Sequence, residues 1–251
     1  MFFNEEKKRI LVIAASGGIG LAISKKLIEQ NHILFLTTRS IHSDPGEHLK
    51  SISENKAELF ELDLTNETDI SVLFESIKTK TSWLDLIINC SGLLYDETLQ
   101  PEKRIEDLEY KKLQRNFMIN SIAPVMIAKF SLPLFRHDQL NIFANISARV
   151  GSISDNRLGG WYSYRMSKAA QNMATKTLSI ELKRRRPNTI VVGLHPGTVD
   201  TRLSKPFQGN VKKQHLKTAD EAANNLLNVI SNLSLEHTGK VFAWDGQEIQ
   251  P

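Results

Sequence analysis

The stretch Arg9-Ile10-Leu11-Val12-Ile13-Ala14-Ala15-Ser16-Gly17-Gly18-Ile19-Gly20 decides how the rest of the chain is read. Its first half is an unbroken apolar run, as expected of a strand buried on both faces of a parallel sheet. Its second half is a small-residue turn. A helical pattern follows over residues 20–30, with Leu21, Ser24, Leu27 and Ile28 on one stripe. A strand, a glycine turn and a helix together point backbone N–H groups at the helix N-terminus, where a phosphate binds if no side chain blocks it. Ser16, Gly18, Ile19 and Gly20 are the candidate residues of that turn, with Gly18 and Gly20 supplying the close approach.

Outward from this unit the same alternation repeats. Strand-like runs lie at residues 9–14, 33–37, 59–62, 84–89, 140–146, 189–194 and 240–243. Helical patterns lie between them at 20–30, 65–77, 105–130, 163–182 and 219–229. Strand–helix alternation with short links implies parallel strands joined by right-handed crossovers, with ligands at the carboxyl ends of the strands. With no internal repeat and no composition break, residues 1–251 are expected to form one doubly wound α/β domain built on a seven-stranded parallel sheet flanked by helices.

The composition sets bounds. The 251 residues are 41% hydrophobic and 24% charged, with a formal net charge of +4, which suits one folded core. The single dense basic run, Lys183 to Arg186, falls at an expected helix end, where cations complement the helix dipole. No nucleic-acid partner is therefore expected. One cysteine, Cys90, excludes an internal disulfide. The N-terminal residues lack a secretory pattern, and the sequence reads as having no bilayer-spanning run. A cytoplasmic protein with no membrane partner and no metal is the expectation.

Two further sites carry chemistry. The second strand ends Thr37-Thr38-Arg39-Ser40, with no acid at its tip. An acid there would take the ribose hydroxyls of NAD; Arg39, a planar permanent cation, with Ser40 beside it, suits the 2′-phosphate of NADP. NADP(H) is the expected cofactor. After the fifth strand, Tyr164-Arg165-Met166-Ser167-Lys168 places a phenol and an ammonium one turn apart on a helix face. The cation lowers the cost of ionising the phenol, so Tyr164 can pass a proton to a carbonyl oxygen, and Lys168 has donors left for ribose hydroxyls.

The turn and the Tyr-x-x-x-Lys pair together resemble the short-chain dehydrogenase/reductase family, and the resemblance covers nearly the whole chain. Ile13 and Ala14 depart from the family's Thr and first Gly. A left-handed backbone at residue 14 would be disfavoured for alanine. The resemblance implies a Rossmann fold and hydride transfer between NADP(H) and a small-molecule carbonyl or secondary alcohol, with reduction as the favoured direction. It also implies site roles. Asp63 and Leu64 match the adenine-side position, although Asp63 equally suits an ordinary helix N-cap, since Thr65 and Asn66 follow. Asn89, Ser91 and Gly92 match the family's Asn-Asn-Ala-Gly segment, with Cys90 read as buried packing. Asn120 matches the helix asparagine that organises a water next to the lysine. Pro196, Gly197, Val199 and Thr201 match the segment that holds the carboxamide, with His195 read as support. Tyr164 and Lys168 serve both catalysis and cofactor.

The carbonyl-polarising serine is the position where the pattern departs. Ala148 stands where the family places its second serine. Ser147 is taken as the candidate, with Ser152 second; a neighbouring strand residue faces the opposite side, so Ser147 serves only if the strand has curled there. The segment from Ser147 to Arg165 and the ending Gly239 to Gly246 are similar to C-factor-like and sniffer-like carbonyl reductases. Residues 93–99, 149–161 and 204–215 are expected to wall the substrate pocket, with Leu93, Leu94, Trp161 and Phe207 favouring an apolar or aromatic carbonyl. Extra apolar stripes on the helices at 105–130 and 163–182 suggest a partner surface, and the family implies a homodimer or homotetramer there. A dinucleotide-binding regulatory or signalling protein with little turnover is the alternative function.

Overall fold

In the computed structural model, which describes residues 2–3, 6–136, 138–210 and 212–251, strand β1 (Arg9–Ile13) occupies the middle of a parallel sheet. The chain runs on through α1 (Gly18–Glu29), β2 (Ile33–Thr38), α2 (Asp44–Ser53), β3 (Ala57–Glu61), α3 (Glu67–Lys78) and β4 (Leu86–Asn89). Then come α4 (Tyr110–Phe117), α5 (Ala123–Ser131), β5 (Asn141–Ile146), α6 (Tyr162–Arg185) and β6 (Thr189–His195). A two-strand ribbon of β7 (Thr198–Val199) and β8 (Leu216–Lys217), α7 (Ala219–Ser231) and β9 (Val241–Ala243) complete it. The seven-stranded sheet has the order β3-β2-β1-β4-β5-β6-β9, with every pairing parallel. The order reverses between β1 and β4, so a crevice opens there at the carboxyl ends of the strands.

Alternate residues of each strand feed opposite layers of the core. Ile10, Val12, Leu34, Leu36, Ile88 and Ile142 pack with α1 and α7 on one face. Leu11, Ile13, Phe35, Ile87, Phe143 and Val191 pack with α3 and α5 on the other. Both layers are closed, which is why the strands read as continuous apolar runs. The basic run sits at the end of α6, with Lys183, Arg184 and Arg185 in its last turn.

Three features differ from the expectation. Helix α2 is additional; Ser43 caps it by accepting from the Gly46 amide at 3.3 Å, and Leu49 is its one deeply buried apolar side chain. The pattern at residues 105–130 is not one helix: a 3-10 turn at Ile105–Asp107 precedes α4, and a π-helical turn, Met118–Ile122, joins α4 to α5. The i→i+5 bonding of that turn leaves a step in the i→i−4 ladder, a device common at functional sites. Finally, the helical stretch Tyr110–Leu134 is long and apolar enough to cross a membrane by length and composition, at a mean hydropathy of 1.4, contrary to the reading that no such run exists. Here it lies against α3 and α6, with Asn116, Asn120 and Ser121 buried within it. Burial in the protein takes up 44% of its apolar window, and Tyr110, Ile122 and Val125 stay exposed.

Candidate active site

The glycine turn is held from below by the tip of β2. The Ala14 amide donates to Thr37 Oγ1 at 3.1 Å, the Ala15 amide to the Thr37 carbonyl at 2.7 Å, and the Ser16 and Thr38 hydroxyls are 2.8 Å apart. Ala14 takes φ +58°, the left-handed region expected to be costly for a residue with a Cβ. A Cβ on Gly20 would lie 2.3 Å from the Ala14 carbonyl oxygen, and one on Gly18 would lie 2.5 Å from Thr201 Cγ2. Backbone contact requires the glycine at position 20, and the Thr201 side chain packs where a Cβ at position 18 would stand. Gly17 caps α1 without a side-chain hydrogen bond, and the first turn of α1 holds no acid. By contrast α2, α3 and α7 are capped by Ser43, Asn66 and Thr218 and carry acids in their first turns. The start of α1 keeps its N–H groups and its positive dipole end for an anion, so this end of the molecule fits a dinucleotide pyrophosphate.

Around that turn the strand tips converge. Arg39 is exposed beside Ser40, with no hydrogen bond or ion pair among the described residues. Asp63 accepts from the amide and hydroxyl of Thr65, at 2.8 and 2.7 Å, which hold its carboxyl below the usual range; Asn66 is the helix cap. Leu64 packs on the α3 side of the core and Ile19 on the α1 side. Asn89 is fully buried, donates to Asn145 Oδ1 at 3.1 Å and accepts from the amide and hydroxyl of Ser91. It locks β4 to β5, leaving Gly92 as the exposed element of that segment. Cys90 is a free thiol that burial pushes up to about 12, as expected of packing rather than nucleophilic use. Gly197, at φ +80°, turns the chain after β6 against Trp244, and Pro196 and Val199 are buried beside it. Burial holds His195 down to about 4, with Nδ1 lacking a hydrogen-bond partner among the described residues, so it is a neutral imidazole.

Tyr164 and Lys168 lie in the first two turns of α6, both buried. Lys168 Nζ sits 5.9 Å from the Tyr164 ring centroid and donates to the Ile146 carbonyl at 2.8 Å and to Gln171 Oε1 at 3.1 Å. A Cβ on Gly92 would come 3.9 Å from that Nζ and from Asn120 Oδ1, so the β4 loop faces the lysine. Desolvation pushes the Tyr164 phenol well above its ordinary value and pulls the Lys168 ammonium down to about 7. Asn120, at the π-helical turn, accepts from the Leu93 amide and donates to the Leu93 carbonyl, both at 2.8 Å, and lies 3.0 Å from Ser167 Oγ. It thus fastens the β4 loop to the face of α6 that carries Tyr164 and Lys168.

The two candidate serines are turned away from Tyr164. Ser147 Oγ donates to Asn172 Oδ1 at 2.6 Å, two turns along α6 from Tyr164. Ser152 Oγ donates to the Gln250 carbonyl at 2.5 Å and ties the loop to the C-terminal segment. The residue packed on Tyr164 is Ala148, together with Leu94, Val150, Trp161, Leu203 and Phe207. The expected curl at Ser147 is absent: alternation along the strand puts Ala148, not Ser147, on the Tyr164 side. The apolar wall does assemble from the three expected segments. Trp161 stands edge-on to Tyr164 at 6.3 Å and to Phe207 at 5.0 Å, and Tyr95 stands edge-on to Phe207 at 5.5 Å. Leu93 is partly buried beside them.

Two buried groups escaped the sequence reading. Glu102 caps α6 from a distant loop: its carboxylate accepts from the amide and hydroxyl of Ser163, and its carbonyl accepts from the Trp161 amide. Trp161, at φ +52°, cannot cap the helix with its own side chain. Gln171 accepts from Lys168. A glutamine one turn beyond the lysine on a buried helix face was the available signal for the second; none marked the first.

Comparison with known proteins places this geometry. The short chain dehydrogenase family model matches residues 8–212. C-signal of Myxococcus xanthus is 36% identical over 143 residues, 57% of this chain and 81% of that protein. The carbonyl reductase Sniffer of D. melanogaster superposes with a TM-score of 0.86 at 26% identity, covering 98% of this chain and 100% of the other. The NADPH-bound carbonyl reductase from chicken fatty liver superposes with a TM-score of 0.87 at 27% identity, with the same coverage. Because the matched span runs from β1 past β7 and takes in both the glycine turn and the Tyr164–Lys168 pair, the chain belongs to the short chain dehydrogenase family.

Proposed function

We propose that this oxidoreductase reduces an apolar or aromatic carbonyl with NADPH, and that Tyr164 delivers the proton. The observation that carries this reading is the burial of Tyr164 and Lys168 together beneath an apolar lid, at the crevice end of the sheet. NADPH, when bound, supplies the hydride. Ser16, Gly18, Ile19 and Gly20 offer backbone N–H groups to its pyrophosphate, and Arg39 with Ser40 takes the 2′-phosphate. Asp63 and Leu64 lie on the adenine side; Asn89 and Ser91 shape the loop that carries Gly92 past the ribose; Pro196, Gly197, Val199 and Thr201 receive the carboxamide. Lys168 as an ammonium binds the ribose and favours the phenolate, so the Tyr164 hydroxyl gives its proton to the carbonyl oxygen as the C–H bond forms. Asn120 fixes the loop opposite the lysine. Ser147 supports α6 through Asn172, and polarisation of the carbonyl falls to the Tyr164 hydroxyl.

The NADPH complex of the chicken carbonyl reductase supports the choice of cofactor. Exposed Met166, Met173 and Ile180, at seven-residue steps along α6, support a symmetric homodimer or homotetramer in the cytoplasm, checked by light scattering, where a monomer at micromolar concentration refutes it. Ala148 favours a second reading, a dinucleotide-binding signalling protein with little turnover. A panel of aldehydes, ketones, diketones and quinones with NADPH separates the two. Turnover of aromatic members supports the enzyme; tight NADPH binding with no turnover across the panel supports the second reading.

A further inference from the structure

Gln171 lies one turn beyond Lys168 on the buried face of α6 and is 1% exposed. Its side-chain oxygen accepts from Lys168 Nζ at 3.1 Å, while the Ile146 carbonyl accepts from the same nitrogen at 2.8 Å. Its amide nitrogen is buried and has no hydrogen-bond partner among the described residues. An unpaired buried donor costs stability. A residue kept for packing alone would be served better by an unbranched apolar side chain of the same volume. The use of Gln171 therefore resides in its oxygen, and that oxygen meets the lysine.

The lysine needs it. Burial alone pulls Lys168 down to about 7, and no charged neighbour contributes to the shift. The titratable groups on the packed elements confirm this. Arg149, after β5, pairs with Asp155 at 3.3 Å. His195, at the end of β6, is neutral, and so is Cys90 on the β4 loop. Glu102, before α6, is engaged by Ser163. On α4, Lys112 pairs with Glu109 and Arg115 with Asp96. On α6 itself Tyr164 is un-ionised. The π-helical turn presents neutral Asn120 and Ser121. With no charged group contributing, Lys168 depends on the neutral oxygens of Ile146 and Gln171 to hold its charge.

We propose that Gln171 is a positioning residue whose side-chain oxygen fixes the Lys168 ammonium beside Tyr164 and favours its charged form. The proposal rests on the reading that Tyr164 and Lys168 carry the chemistry. A hydrogen bond to the charged form stabilises that form. Losing it should make the lysine give up its proton at lower pH. Replacing the neutral oxygen with a carboxylate should have the opposite effect.

The test titrates the full-length protein, labelled with carbon-13 at lysine Cε, by NMR without cofactor. The Lys168 signal is assigned by its loss in Lys168→Arg. Gln171→Met keeps the volume and removes the oxygen; Gln171→Glu adds a charge. The expected result is a Lys168 midpoint lowered by about half a pH unit or more in Gln171→Met and raised in Gln171→Glu. The alkaline limb of NADPH-dependent reduction should move in the same directions, and the melting temperature of Gln171→Met should hold or rise, since a buried unpaired N–H is removed. A midpoint unmoved in both variants overturns the proposal, as does a Gln171→Met protein that melts lower with its lysine titration unchanged. Tyr164→Phe run in parallel separates the two readings. If it keeps full turnover, the active-site reading fails whatever the lysine does; if it is inactive while the midpoint stays still, the role of Gln171 alone fails.

Discussion

The two halves of the crevice are built from different materials. The proposed dinucleotide half, around residues 14–20 and 197–201, turns on backbone at close range: the Gly18 backbone against the Thr201 side chain, Gly20 against the Ala14 carbonyl, and a start of α1 without a side-chain cap. The proposed substrate half is side chain laid on side chain: Ala148, Trp161, Leu203 and Phe207 around Tyr164, drawn from two loops. Backbone geometry tolerates little change, so one half is constrained residue by residue. Side-chain walls can be repacked, so the other half can change its substrate while the cofactor site stays as it is. The contrast predicts that substitutions on the substrate side alter which carbonyl is turned over, and those on the cofactor side alter binding or stability.

The sharpest way to break this contrast is Ala148→Ser. A hydroxyl placed against Tyr164 supplies a second donor to the carbonyl oxygen, where Ser147 and Ser152 are committed to Asn172 and Gln250. Removal of one such donor elsewhere costs two to three orders of magnitude, so its addition here should raise kcat/KM for weakly activated ketones by about tenfold to a hundredfold. NADPH affinity should stay the same. A change in NADPH affinity without a change in turnover would show that the two halves are not separable at this point.

Arg39→Asp is next in size and acts on the other half alone. Arg39 is exposed at the β2 tip with no ion pair among the described residues, so the parent should bind NADPH at least about tenfold more tightly than NADH, or about 1.4 kcal/mol. The substitution should erase or reverse that preference in a fluorescence titration and leave the order of carbonyl substrates as it was. Equal parent affinities for the two cofactors would remove the NADPH reading.

The smallest effect expected is at Ala14. Its φ of +58° costs an alanine about 1–2 kcal/mol, and a glycine there avoids the cost while losing some unfolded-state restraint. Ala14→Gly should raise the melting temperature by a few degrees, for a net gain of about 1 kcal/mol at most. A lower melting temperature would mean that the turn is not strained at residue 14.

The same division decides what could be read from the sequence. The sheet, and the places of the glycine turn and Arg39 at its strand tips, were legible because each is local: an apolar run, a turn and a strand tip occupy neighbouring positions. The shared position of Tyr164 and Lys168 was legible for the same reason, four residues apart on one helix. Helix α2 was not, since Leu49 is its single deep anchor and its start depends on the Ser43 cap. The break at residues 118–122 gives no apolar signal, because a π-helical turn preserves the stripe on either side. The orientation of Ser147 turned on strand alternation, and the strand keeps it to its end. Glu102 reaches Ser163 across 61 positions, a contact no local pattern announces.

The central claim is that Tyr164 does chemistry while the cofactor half does the holding. Tyr164→Phe keeps the ring in its apolar setting beside Trp161 and removes only the hydroxyl. The direct measurement is NADPH affinity and single-turnover reduction of an aromatic carbonyl that the parent reduces well, in parent and variant side by side. The prediction is a dissociation constant within about twofold of the parent and a hydride-transfer rate lower by about three orders of magnitude, near the upper part of what positioned proton transfer contributes. A variant that binds NADPH as the parent does and still transfers hydride at the parent rate would contradict the claim.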